Sequence, residues 1–126
     1  MSTTLSISGS VANADALTRY DLVTFAPSLE TNILVQYRQM AIGNTTIHTM
    51  DLNEMPDSGN GPQANAVFLF VQSGSVVVHL TTGPSPSDTA SIYVDKMLIL
   101  MDARVFSMTV TGTDADGSVY DLILGG

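Results

Sequence analysis

The sequence predicts an all-β fold, an antiparallel β-sandwich of jelly-roll type with at most one short helix near the N-terminus. Apolar runs of about four to eight residues alternate with clusters of Gly, Pro, Ser, Asn and Asp at intervals of roughly 8 to 15 residues, the rhythm of short strands joined by turns. Several runs alternate apolar and polar residues with period 2, which makes one face of each strand dry. Two others are apolar in both phases, as expected where neither face meets water. A length of 126 residues suits one core, and no linker, repeat or low-complexity tract divides it, so residues 1–126 are read as a single β-sandwich domain.

In chain order the expected strands are Leu5–Ser8, Leu22–Phe25, Asn32–Ala41, Thr45–Leu52, Ala66–Gln72, Ser75–Thr82, Ala90–Val94, Met97–Met101, Val105–Thr111 and Val119–Leu124, of which eight or nine should form. Between the first two, Val11–Asp21 suggests a helical turn or two, with Ala12, Ala14, Ala16 and Leu17 as formers and Asn13 as a cap. Ile42-Gly43-Asn44, Ser73-Gly74 and Asp116-Gly117 each supply a residue that tolerates positive φ and predict tight turns between antiparallel neighbours. The segments Pro56–Asn65 and Gly83–Asp88 carry prolines that cannot continue a ladder, and they read as exposed loops.

Odd-even phase separates Val76, Val78 and Leu80 from Val77, His79 and Thr81, and Phe106, Met108 and Val110 from Val105, Ser107, Thr109 and Thr111. The runs Val67-Phe68-Leu69-Phe70-Val71 and Met97-Leu98-Ile99-Leu100-Met101 show no such separation. A two-layer sandwich hides one face per sheet, so the second faces of these runs need another cover. Leaving about five such side chains wet forgoes several kcal/mol, at about 1.5 to 3 kcal/mol each, and invites aggregation. A partner subunit is the expected cover, and a loop such as Pro56–Asn65 folded back over them is the alternative. Phe68, Phe70, Val77, Ile99 and Met101 are the interface candidates. Odd-even phase alone does not say which face of each strand is inward, so half of this set is open to being core instead.

Composition narrows the chemistry. The chain has no cysteine, which excludes disulfides, thiolate metal sites and thiol nucleophiles. Four basic residues against twelve acidic give a net charge of -8, and Arg19, Arg38, Lys96 and Arg104 are too scattered to grip phosphates, so nucleic acid and anionic membrane are not expected partners. Charged residues make up 13% of the chain, about half the usual share, and mean hydropathy is +0.25; a free-standing monomer would wear more charge. No secretory pattern opens the sequence and no apolar stretch is long enough for a membrane helix, so synthesis in a cytosol-like compartment is expected.

Motifs for catalysis are weak. His48 and His79 have no second histidine or cysteine at ligand spacing, and no serine sits in Gly-x-Ser-x-Gly. His79 is expected on the wetter face of its strand and His48 packed or interfacial. Asp114-Ala115-Asp116-Gly117 resembles the start of a calcium loop, but the third ligand and closing Glu are missing, so it reads as a turn. Asp51, Glu54 and Asp57 read as solvating a polar loop, and the methionines, including Met97, Met101 and Met108, as adaptable core filler. No cofactor, metal or enzymatic activity is expected.

From about Ala64 to Gly126, the paired strands Ala66–Val71 and Ser75–Val78, then Met97–Leu100, Phe106–Val110 and Val119–Leu124, resemble the small jelly-roll proteins that decorate tailed-bacteriophage capsids. The likeness spans half the chain and includes no diagnostic motif. It implies a virion location after synthesis in the host cytoplasm, a homotrimer as the working unit, and the major capsid protein as partner in a shell-reinforcing, or cement, role. The first rival is a phage tail or fibre module that binds host glycans through polar loops, with Tyr37, Tyr93 or Tyr120 as stacking platforms. A small cupin-type enzyme is the third reading and requires a bound metal.

Overall fold

The computed structural model describes residues 2–14, 19–57, 59, 61–83, 85 and 87–126, with residues 11–14 and 19–23 as backbone. Among the described residues twelve strands form in two groups, against the eight or nine expected. The first is a hairpin arm: β1 (Thr3–Ser6) pairs antiparallel with β4 (Ser28–Thr31), and β2 (Gly9–Ala14) with β3 (Arg19–Phe25). A bond from Ile7 N–H to the Pro27 carbonyl, 3.2 Å, joins the two ladders into one long ribbon. The helix expected over Val11–Asp21 is thus corrected: its ends are strand, and only residues 15–18 lie outside the described residues. Val11, Tyr20, Val23, Thr24 and Phe25 are β-formers, and pairing across the ribbon outweighs a weak helical stripe.

The second group is the body: β5 (Leu34–Ile42), β6 (Ile47–Thr49), β7 (Ala64–Ser73), β8 (Val76–Thr81), β9 (Thr89–Val94), β10 (Met97–Val105), β11 (Ser107–Gly112) and β12 (Ser118–Gly125). They form two four-stranded sheets, in the orders β10-β7-β12-β5 and β6-β11-β8-β9, with every pair antiparallel. Strand β8 turns back into β9, and then β7 pairs with β10, β6 with β11 and β5 with β12. This is one long folded hairpin wrapped across two layers, the double Greek key of a jelly roll.

The expected antiparallel hairpins at Ile42-Gly43-Asn44, Ser73-Gly74 and Asp116-Gly117 do not form. Each turn instead carries the chain from one sheet to the other, because strands apolar on one face gain more by stacking layers than by extending a single wet sheet. Gly74 and Gly117 do take positive φ, 75° and 85°, whereas at the first turn Thr45 does so, with φ 63°. All three crossings lie at one end of the sandwich and are clipped together. Ser75 N–H donates to Ser118 Oγ at 3.0 Å, Ser118 Oγ–H donates to the Ser75 carbonyl at 2.7 Å, and the hydroxyls of Ser75 and Thr113 are 2.8 Å apart.

The core lies between the sheets. Val67 and Leu69 of β7 and Tyr120, Leu122 and Leu124 of β12 face Val76, Val78 and Leu80 of β8 and Met108 and Val110 of β11, all almost fully buried. Each large aliphatic contributes about 1.5 to 3 kcal/mol by leaving water. Met50, Leu52 and Met55 plug the end opposite the clipped turns. There the Gly126 carbonyl accepts from Asn32 N–H (2.7 Å) and Ile33 N–H (2.9 Å), tying the C-terminus to the start of β5.

The clipped end generates a test. A Cβ on Gly74 would collide with Ser118 Oγ and sit 2.6 Å from the Gly117 carbonyl, at a φ that L-residues rarely adopt. Gly74→Ala should therefore cost more than about 1 kcal/mol in chemical denaturation, while Ser73→Ala, exposed one position earlier, should stay within about 0.5 kcal/mol.

Candidate functional site

The outer face of the β10-β7-β12-β5 sheet is built in rows by strand register. Met101, Ala66, Gly125 and Leu34 form one row; Ile99, Phe68, Ile123 and Gln36 form the next; Met97, Phe70 and Asp121 form the third. A face this apolar is unusual on the outside of a sandwich. The root of the hairpin arm covers part of it: Leu5 and Thr31 press on Gly125, where no Cβ would fit. Leu5, Ser6 and Ile7 then face Phe68, Phe70 and Ile123 across a crevice of about 190 Å³. The cover therefore comes from the arm, not from the loop over 56–65. That loop is instead held by Asp57, whose carboxylate accepts from Gly59 N–H (2.7 Å) and Gly61 N–H (3.1 Å).

The arm's root does not reach across the whole sheet. Phe68 is buried beside it at 6% exposure, Phe70, Ile99 and Met101 are half-buried, and Met97 is 60% exposed. Four of the five interface candidates, Phe68, Phe70, Ile99 and Met101, therefore share one surface. Val77 does not join them. It lies on the outer face of the other sheet, 6% exposed between Thr111 and Tyr93. Reading Met97 and Met101 as core filler is corrected, since both lie on the outer face of the edge strand β10; Met108 is buried as expected.

The far margin of the apolar face is polar. Asp121 accepts from Gln39 N–H and from Gln72 Nε2, both at 2.6 Å. Gln39 N–H first, then the Gln72 amide, hold its carboxyl below the usual range against an opposing effect of desolvation, and Arg38 adds to the lowering. Gln39 sits at φ 50° in a bulge of β5, so this carboxylate pins a strained backbone position at the sheet's edge.

The outer face of the second sheet is different in kind. Rows of Thr49, Thr109, His79 and Ser91, and of Ile47, Thr111, Val77 and Tyr93, contain no Asp, Glu, Lys or Arg. His79 is exposed as expected, with Nδ1 2.7 Å from Ser91 Oγ, and Ser107 Oγ donates to Thr81 Oγ1 at 2.7 Å. Tyr93 stands 78% exposed, whereas Tyr37 packs against the core and Tyr120 is fully buried, so Tyr120 is corrected as a stacking platform.

Tyr120 instead joins the two sheets across the core. Its hydroxyl lies 2.7 Å from His48 Nδ1, and the rings are tilted with centroids 5.9 Å apart. The sequence places His48 and Tyr120 72 residues apart, and only the pairing of β6 beside β11 and β12 beside β7 brings them together. Burial, reinforced by Tyr37, pushes the Tyr120 phenol from the ordinary 10.0 up to about 12. Asp114 is used by its own turn, accepting from Asp116 N–H at 2.9 Å, and among the described residues no three His, Asp or Glu side chains gather as metal ligands. Compared with known proteins, the chain matches no family model, no curated protein and no solved structure.

Two outcomes follow. Phe68→Ser should cost about 3 to 5 kcal/mol of stability, since it opens a void beneath the arm, whereas Phe70→Ser should fold and weaken self-association, as read by denaturation and light scattering. The folded state holds the Tyr120 proton more tightly than the unfolded chain, so this contribution is complete below pH 10 and is lost as pH rises toward 12. Tyr120→Phe should flatten that alkaline decline and cost about 1 to 3 kcal/mol at neutral pH by leaving His48 Nδ1 without its partner.

Proposed function

We propose that this protein is a structural subunit of a phage virion, a capsid decoration or cement protein that works by binding copies of itself and a major capsid protein. One observation carries the reading: the outer face of the β10-β7-β12-β5 sheet keeps Met97, Ile99, Met101 and Phe70 in partial contact with water after the arm has covered what its root reaches. Such a surface matches the apolar centre of a protein interface, and the polar margin at Gln36, Arg38 and Asp121 matches its rim. The work is mechanical. Binding across neighbouring shell subunits would add buried area that resists expansion, and the net charge of -8 would keep the unbound protein soluble. Jelly rolls serve as capsid, lectin and cupin domains alike, so the setting rests on the resemblance of the strand pattern to decoration proteins and not on the fold.

A second reading is favoured by Tyr93, which stands 78% exposed on an uncharged, hydroxyl-rich face suited to stacking against a sugar ring. Co-sedimentation with purified empty shells of tailed phages separates the two. Saturable shell binding that survives Tyr93→Ala and is lost with Met97→Glu and Ile99→Lys together supports decoration. A glycan-array signal abolished by Tyr93→Ala, without shell binding, supports the glycan module instead.

A further inference from the structure

Among the described residues the body has four open sheet edges, and two of them, β6 and β5, are guarded. Strand β6 is three residues long. Strand β5 presents Gln36, Arg38 and Gln39 and is bent by the bulge that Asp121 pins. Strand β9 pairs in regular register with β8 and exposes Thr89, Ala90 and Ser91, small residues unlike the apolar run of β10. Short length, bulges and polar or charged residues are the devices that prevent edge-to-edge pairing.

Strand β10 lacks them along Met97–Met101. This stretch pairs in regular register with β7 on one side, and the bulge at Asp102, φ 56°, comes after it. Its residues read the same in both directions: Met97-Leu98-Ile99-Leu100-Met101. Lys96 precedes the run and Asp102 follows it, so reversal also exchanges a positive for a negative charge. In an antiparallel pair, residues whose numbers sum to a constant lie opposite each other. With Ile99 at the centre, Met97 meets Met101, Leu98 meets Leu100, and Lys96 comes to the Asp102 end of the other strand, twice over.

We propose that a second copy of this chain occupies the edge, β10 against β10 about a two-fold axis through Ile99, making one continuous eight-stranded sheet. The inference rests on the reading that the apolar face is an assembly surface, and it names the partner. The pairing places Met97, Ile99 and Met101 of both copies side by side on the outer face, where cross-strand neighbours shield each other from water. The contact is isologous and closes at two chains, unlike the trimer that the resemblance implies.

The test is the mass of the whole protein in solution by light scattering. A species of about twice 13.3 kDa is expected. Ile99→Lys, which sets like charges opposite each other, should raise the dimer dissociation constant about tenfold or more while leaving the far-ultraviolet circular dichroism unchanged. Ile99→Cys, the single thiol in an otherwise cysteine-free chain, should form a disulfide-linked dimer on mild oxidation. A monomer at micromolar concentration, a trimer, or a dimer indifferent to Ile99→Lys would overturn the proposal. A trimer that binds shells leaves the proposed function standing; a monomer that still binds shells leaves only its shell-binding part; a monomer that binds no shell removes both.

Discussion

Burial of the two inner sheet faces against each other is the interaction on which the rest of the molecule depends. Val67, Leu69, Leu122 and Leu124 on one side and Val76, Val78, Leu80, Met108 and Val110 on the other form a dry layer that fixes register throughout, since slipping a strand by one residue would turn every one of its side chains to the wrong face. The turns at Gly74 and Gly117 cross between layers because the layers must be stacked, and the Ser118 hydroxyl satisfies the Ser75 backbone N–H and carbonyl while the hydroxyls of Ser75 and Thr113 bond each other. The polar bridge through the core, His48 to Tyr120, has both partners in place, so a buried hydroxyl adds specificity between the sheets at little energetic cost.

With the inner faces spent on each other, the outer faces are free to differ, and they do. One carries hydroxyls with an exposed tyrosine and isoleucine, Tyr93 and Ile47. The other carries phenylalanine, isoleucine and methionine, part of it beneath the root of the N-terminal arm. Stability alone asks for neither pattern. An apolar outer face costs solubility and is retained where contact with another protein uses it, which is why the assembly reading begins there.

Most of the body was legible in the sequence. The strands from β5 to β12 were found close to their true places because their inner faces alternate with period 2, and the doubly apolar stretches over Val67–Val71 and Met97–Met101 did mark strands with two demanding faces. Pairing was less legible: a glycine with positive φ serves a hairpin and a sheet-to-sheet crossing equally well, so Gly74 and Gly117 announced turns without saying which strands they join. The arm was half missed, since alanines in Val11–Asp21 imitate a weak helix and the ribbon is held by backbone pairing that side-chain pattern does not record. Nor could phase alone tell Phe68 from Phe70, which share a face; what separates them is their distance from Leu5 at the arm's root. The bridge from His48 to Tyr120 left no local signal at all.

The position of β12 has a consequence for biosynthesis. Strand β12 follows every other body strand in sequence, yet it is an interior strand of its sheet, flanked by β7 and β5. Until it emerges from the ribosome those two neighbours face an empty slot about two strand spacings wide, and the hydrophobic layer has no central beam. The two-layer body therefore closes only once residues 118–125 are free to slide between strands that precede them by many tens of residues. Pairing over such sequence separations takes milliseconds to seconds, so the central beam is the slowest part of the architecture to be set in place.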